Sequence, residues 1–205
     1  PREEPVHAID IGASAGLNLC LDRFSYSYSG DVDAGLGAGR PVIGCEVRGH
    51  LRRPDRLPAF ATRTGIDLSP VDATDPEQAA WLEALVWPEH EDRLERLREA
   101  ISIRRRLDVR MLAADAATAI ADVMAGLPPG RVVIWHTIAL YQADAVARAD
   151  IDAAVQDASR HRDVTRIGFE PVAGEGSPVV RVGPSFDRGR TVATAHPHGR
   201  WLEPA

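Results

Sequence analysis

The chain of 205 residues carries a net charge of −6, with 44% hydrophobic and 26% charged residues. That balance fits one globular domain able to bury a core without disulfides or metals, and its acidity argues against a general nucleic-acid or anionic-membrane surface. All 24 basic residues are Arg, which excludes a Walker-type phosphate loop, a Schiff base and a Lys general base together. Cys20 and Cys45 lack C-x-x-C spacing and are expected to be free thiols. No signal peptide pattern is visible and no apolar run approaches the ~20 residues that span a bilayer, so a cytoplasmic protein is expected.

In chain order, VHAIDIG (6–12) is a short apolar run ending in Gly and predicts a buried strand, with a helix start over residues 14–24. FSYSYSG (24–30) alternates aromatic and small polar residues and PVIGCEVRG (41–49) is extended. With the Gly-rich stretch between them they predict a hairpin inserted over 24–49. The next strand, within 61–72, ends at Asp67. TDPEQAAWL then starts a helix, with Asp75 as N-cap, Pro76 as first residue and Gln78 at capping-box spacing. Pro88 ends it, and a second helix presents Leu94, Leu97 and Ile101 on one face. Arg104 to Arg106 are expected at its solvated end, and Trp81 and Trp87 as core or lid residues. DVRMLAADA (108–116) is a strand closing at Asp115, before an Ala-rich helix and the break GLPPGR. RVVIWHTIALY (131–141) is the most strand-like run, followed by a helix and the strand VTRIGFEPV (164–172). Two alternating runs joined by FDRG close the chain as an antiparallel hairpin.

Strand–helix alternation through five strands predicts a single α/β domain over 1–205, its mostly parallel sheet covered by helices on both faces. Ligands on such sheets bind at the carboxyl ends of the strands, near the switch point. An antiparallel ending is how Rossmann-like class I methyltransferases finish their sheet, whereas dinucleotide dehydrogenases usually continue with a parallel half.

The strand ends carry the chemistry. Asp10 closes the first strand, and Gly12, Ser14 and Gly16 follow at alternate positions, with Asn18 just beyond. The segment resembles the D/E-x-G-x-G-x-G loop that binds S-adenosylmethionine (SAM), with Ser in the middle Gly place. Small residues there let the backbone approach a cofactor. Read instead as G-x-S-x-G, GASAG is a nucleophile elbow with Ser14 attacking, and Asp187 and His196 complete the chain order Ser–Asp–His. Against that second reading, too few residues precede Ser14 to supply the upstream oxyanion-hole loop. Asp67 matches the acid that grips ribose hydroxyls, since a carboxylate accepts two hydrogen bonds side by side. Glu46 is its rival if VIGCEV is the true second strand. Asp115 matches the acid that meets the adenine amino group, or else simply caps the following helix. His136 ends a strand where such enzymes place substrate or catalytic groups and is a candidate general base, its plain alternative being a hydrogen-bonded core histidine. His196 and His198 in HPHG lack a third ligand, so no metal is expected. No N/D-P-P-Y appears, which argues against a DNA amino-methyltransferase.

IDIGASAGLNLCLDRFSYSY, GIDLSPVDATDPEQAAWLEALVWPEHEDRLERLREAI and VVIWHTIALY together resemble domain-of-unknown-function family 2332, a bacterial family common in actinobacteria, from Val6 to about Trp201. The resemblance implies a fold like that of SAM-dependent methyltransferases and an additional N-terminal helical segment, which accounts for a chain that opens almost directly on a strand. The expected function is therefore SAM-dependent methyl transfer to a small molecule, with no nucleic-acid or membrane partner. A serine hydrolase using Ser14 and a non-catalytic Rossmann-like binding domain are the alternatives.

Overall fold

The computed structural model describes residues 4–30, 34–52, 54–172, 174, 176–186 and 188–205. Its strands are β1 (Val6–Ile11), β2 (Ser25–Gly30), β3 (Ala34–Leu36), β4 (Val42–Val47), β5 (Phe60–Asp67), β6 (Arg110–Ala113), β7 (Arg131–Thr137), β8 (Val164–Glu170), β9 (Val179–Val182), β10 (Arg190–Ala195) and β11 (Trp201–Pro204). The helices are α1 (Pro76–Ala84), α2 (Glu91–Arg104), α3 (Ala116–Gly126) and α4 (Ala145–Ser159). Three of the four helices start on an Asp whose side chain accepts a backbone N–H of the first turn: Asp75, Asp115 and Asp144. Gln78 does not close the expected capping box. Its amide donates to Asp75 and its Oε1 accepts the Asp72 N–H, tying the preceding turn instead.

All strands form one sheet in the order β3-β2-β4-β11-β10-β9-β8-β7-β1-β5-β6. Six of its ten ladders are parallel. The strand sequence reverses between β1 and β7, which run side by side in the middle of five parallel strands. The expected closing hairpin is present as β9–β10, and it extends into a meander, because β11 adds antiparallel to β10. The expected hairpin over 24–49 is corrected. Only β2 and β3 pair antiparallel, and β4 returns to pair parallel with β2 on its other side. β4 also pairs with β11, so this segment extends the meander instead of standing apart.

Side chains of successive strand residues point to opposite faces. On one face Ile9, Ile11, Ile66, Val132 and Ile134 pack against α3 and α4 through Ile120, Val123, Ile151 and Val155. On the other, Ala8 and Trp135 meet Leu19 of a 3-10 helix, Asn18–Arg23, while Cys20 and Phe24 pack against Ala100 of α2. Burial on both sides explains why β1 reads as a continuous apolar run and not an alternating one. The 3-10 helix stands where a longer helix is expected over 14–24. It is pinned to β5 by the buried Arg63, whose guanidinium bonds both Asp22 oxygens at 2.7 Å and the Leu19 carbonyl at 2.7 Å. Among the described residues no helix is long and apolar enough to cross a membrane.

Candidate functional site

A cleft of about 670 Å³ opens at the carboxyl ends of β1, β5, β6 and β7, where the strand order reverses. That is where open α/β sheets bind ligands, and its size is that of a small-molecule site. Gly12, Ser14, Asn18, Asp67 and Asp115 all line it, so five of the residues expected at a SAM site meet in one place.

The loop after β1 is built around Asp67. Ser14 has φ +51°, unusual for a residue with a side chain, and this turns its N–H onto Asp67 Oδ2 at 2.7 Å. Asp67 Oδ1 accepts the Ser69 N–H at 2.9 Å, and the Ser14 carbonyl accepts Val71 N–H at 3.1 Å. The carboxylate thus welds the loops after β1 and β5 together and still has one lone pair per oxygen to offer. Gly12, at φ +72°, is required by close approach: a Cβ there would meet Ala139 Cβ at 2.4 Å. The loops after β1 and β7 touch at this point, and both residues line the cleft. Asp115 caps α3 through Oδ1, which accepts Ala117 N–H at 2.7 Å, and among the described residues Oδ2 has no hydrogen-bond partner.

Three expectations about placement are corrected. Asp10 does not line the cleft. It is 1% exposed on the face opposite Ile9 and Ile11, in register with Gly65 on β5 and Trp135 on β7. Burial pushes its carboxyl up to about 8, and the nearby Trp135 indole only tempers the rise. Among the described residues neither Trp135 Nε1 nor either Asp10 oxygen makes a hydrogen bond of normal geometry. Gly16, at φ +70°, also turns inward, where a Cβ would meet Met111 Sδ at 2.9 Å and Arg104 Nε at 3.2 Å. Arg104 itself is buried, not solvated.

His136 is the third. Its imidazole is 2% exposed beneath α4, outside the cleft lining. Arg166 Nε–H donates to its Nε2 at 3.3 Å, so Nδ1 carries the proton and donates to Glu170 Oε1 at 2.7 Å. Burial is the chief cause that lowers its pKa, which keeps it neutral. Arg166 pairs in turn with Asp152 of α4, and Asp152 accepts the Phe186 N–H with both oxygens at 3.0 Å. Sequence reasoning missed Glu170. Its carboxylate accepts the N–H groups of Ala139, Leu140 and Tyr141, at 3.0 to 3.3 Å, in the turn that forms one wall of the cleft. Just before that turn Ile138 sits at φ +50°, a strained position for a β-branched residue that this clamp holds in place. No local pattern signals the clamp, because His136 and Glu170 meet only across the β7–β8 register.

Glu46 is removed as a ribose-binding candidate. It lies on β4, six strands from β1, and pairs with Arg48 at 3.0 Å. His196 and His198 sit in the turn between β10 and β11 with rings 5.6 Å apart, and among the described residues no group of three or more His, Cys, Asp or Glu is disposed to hold a metal. Cys20 and Cys45 are free, and burial pushes the Cys20 thiol up to about 11. Trp81 and Trp87 are exposed rather than core residues. Asp187 lies outside the described residues.

Fold and cleft define an α/β protein with an open cleft at the switch point of a mostly parallel sheet. The chain belongs to the family described as "Uncharacterized protein conserved in bacteria (DUF2332)", whose profile matches residues 2–203. No curated protein and no solved structure matches it.

Proposed function

We propose that the cleft binds SAM and that the protein is a methyltransferase-like enzyme of the Rossmann-like class acting on a small molecule. One observation carries this reading: among the described residues the only charged groups lining the cleft are Asp67, at the end of β5, and Asp115, two residues beyond neighbouring β6, each with acceptor capacity left over. This donor-hungry, anionic set fits a ligand that brings a cis-diol, an amino group and positive charge. It suits poorly a ligand rich in phosphate, such as NAD or ATP, because no Arg lines the cleft. When bound, SAM supplies an electrophilic methyl carbon.

The chain's own part is positioning. Asp67 accepts the ribose hydroxyls beside its two backbone bonds, and Asp115 Oδ2 accepts from the adenine amino group. Ser14 contributes small size, because its N–H is already committed to Asp67. Holding the acceptor in line with the methyl group supplies most of the acceleration, so a side-chain base is not required. The serine-hydrolase reading finds no support: among the described residues the Ser14 hydroxyl makes no hydrogen bond to a histidine, and His196 follows β10, four strands from β1. At ~4.8 Å per strand that is about 19 Å away.

Calorimetry with S-adenosylhomocysteine (SAH), SAM, NAD and ATP tests the proposal. SAH and SAM should bind and the other two should not. Asp67→Asn, which keeps one acceptor oxygen, should weaken SAH binding by about 1.5–3 kcal/mol, as expected for hydrogen bonds to a charged group. A folded wild type that binds neither SAM nor SAH overturns the reading. Binding without turnover on any acceptor would favour the non-catalytic domain.

A further inference from the structure

Seven large apolar side chains stay well exposed among the described residues, and six of them lie in or within a few residues of the sequence segments that line the cleft. Leu68 (79% exposed) follows β5 and lines the cleft; Trp81, Leu85 and Trp87 lie on α1 or just after it; Tyr141 and Val146 flank the opposite wall. Soluble proteins rarely leave such surface uncovered without a binding role. α1 buries only Ala79, while its Leu82 lines the cleft and Leu85, one turn on, shares that stripe. Facing them are Leu140, Ala143, Ala147 and Ile151. Apart from Asp67 and Asp115, no charged side chain among the described residues lines the cleft, and none of its charged groups is cationic. An anionic molecule entering here would be desolvated with nothing to pair it, whereas an apolar one would bury surface against both walls.

We propose that the apolar walls of the cleft, Leu68 and Leu82 with Leu140, Ala143, Ala147 and Ile151, bind an uncharged small molecule with a hydrocarbon or aromatic body, and that this is the class of the methyl acceptor. The assignment of an acceptor role rests on the SAM reading; the apolar site does not.

The test is a fluorescence titration of the full chain with N-phenyl-1-naphthylamine, an uncharged probe that brightens in apolar surroundings. Expected is saturable one-to-one binding that persists in saturating SAH. It should weaken at least tenfold in Leu82→Asp and in Ala147→Leu, which fills the space without adding charge, and stay unchanged in Val42→Ser on remote β4. Circular dichroism confirms that each variant is folded. Absence of saturable binding, or binding indifferent to both cleft variants, overturns the proposal. So does sedimentation showing a dimer whose dissociation is needed before the probe enters, because the apolar walls would then serve a second copy. If SAH fails to bind while the probe responds as expected, the cofactor reading falls and the apolar site stands. If SAH binds and the probe does not, only the acceptor class falls.

Discussion

With its carboxyl pushed up to about 8, Asp10 is mainly neutral at pH 7, whereas in the unfolded chain it ionises near pH 4. Between those values the folded state holds a proton that the unfolded state has released, so stability falls as pH rises through this window, at up to ~1.4 kcal/mol per unit. His136 works the other way. Its pKa is lowered, chiefly by burial, so below about pH 6.5 the unfolded chain takes up a proton that the folded one refuses, and stability is lost as pH falls. The two slopes oppose each other below about 6.5 and leave Asp10 alone above it. Urea unfolding of the wild type should therefore show its steepest loss between about pH 6.5 and 8, and Asp10→Asn should flatten that stretch. A variant that keeps the wild-type slope there would show that the buried carboxyl is not the cause. Gly12 offers a second test, because its need is mutual. Gly12→Ala forces a Cβ into Ala139 and should cost about 1–3 kcal/mol in unfolding free energy. Ala139→Gly in the same chain should recover most of it, leaving the strain of a side chain at φ +72°. Without such recovery, the contact is not what demands glycine.

Helix α3 begins on Asp115, whose capping role and proposed adenine contact substitution can separate. Asparagine caps a helix about as well as aspartate, so Asp115→Asn should unfold within about 0.5 kcal/mol of the wild type. If Oδ2 holds the adenine amino group, the same variant should bind SAH about 1.5–3 kcal/mol more weakly by calorimetry. Equal loss of stability and affinity would mean that capping is all Asp115 does. At this scale the sequence was legible wherever signals are local. Asp75 and Asp115 each precede a helix, as expected, and strand β7 stood out as VVIW. The Asp67 and Asp115 strand ends were visible for the same reason. Legibility failed where the answer lies in pairing partners. FSYSYSG and VIGCEV read as two strands, but nothing in either shows that they run parallel. Asp10 reads like a ligand-binding acid because it follows HAI, and only the positions of Gly65 and Trp135 show it sealed in. The helix expected from residue 14 is cut to a 3-10 segment by the buried Arg63–Asp22 pair, a contact between residues far apart in sequence.

Across the whole molecule, the central parallel strands and the meander with its β2–β4 extension are joined very unequally. β1 pairs along its full length with both β5 and β7. β4 and β11 share only the Trp201–Glu46 and Leu202–Val47 positions, reinforced by the Glu46 N–H to Arg200 and Arg48 N–H to Leu202 bonds, both 2.9 Å, and by Arg48 stacked 4.6 Å over Trp201. Sheets open first where they hold fewest contacts. Native-state hydrogen exchange should find the Glu46 and Arg48 amides opening at lower free energy than those of Ile9 and Ile134. Equal protection at both places would mean that the sheet behaves as one cooperative unit.

That narrow seam has a further consequence while the chain is being made. β2 and β4 are synthesised well before β11, the strand that covers the free side of β4. Until β11 is made, β4 presents a row of unpaired backbone groups, and its own Val42 is an exposed apolar side chain. β1 waits likewise for β7 before its second side is closed. Such long-range closures are slow to form and leave nascent chains open to one another. Translation speed and chaperone supply, more than the stability of the finished fold, should then govern how much of this protein a cell recovers in usable form.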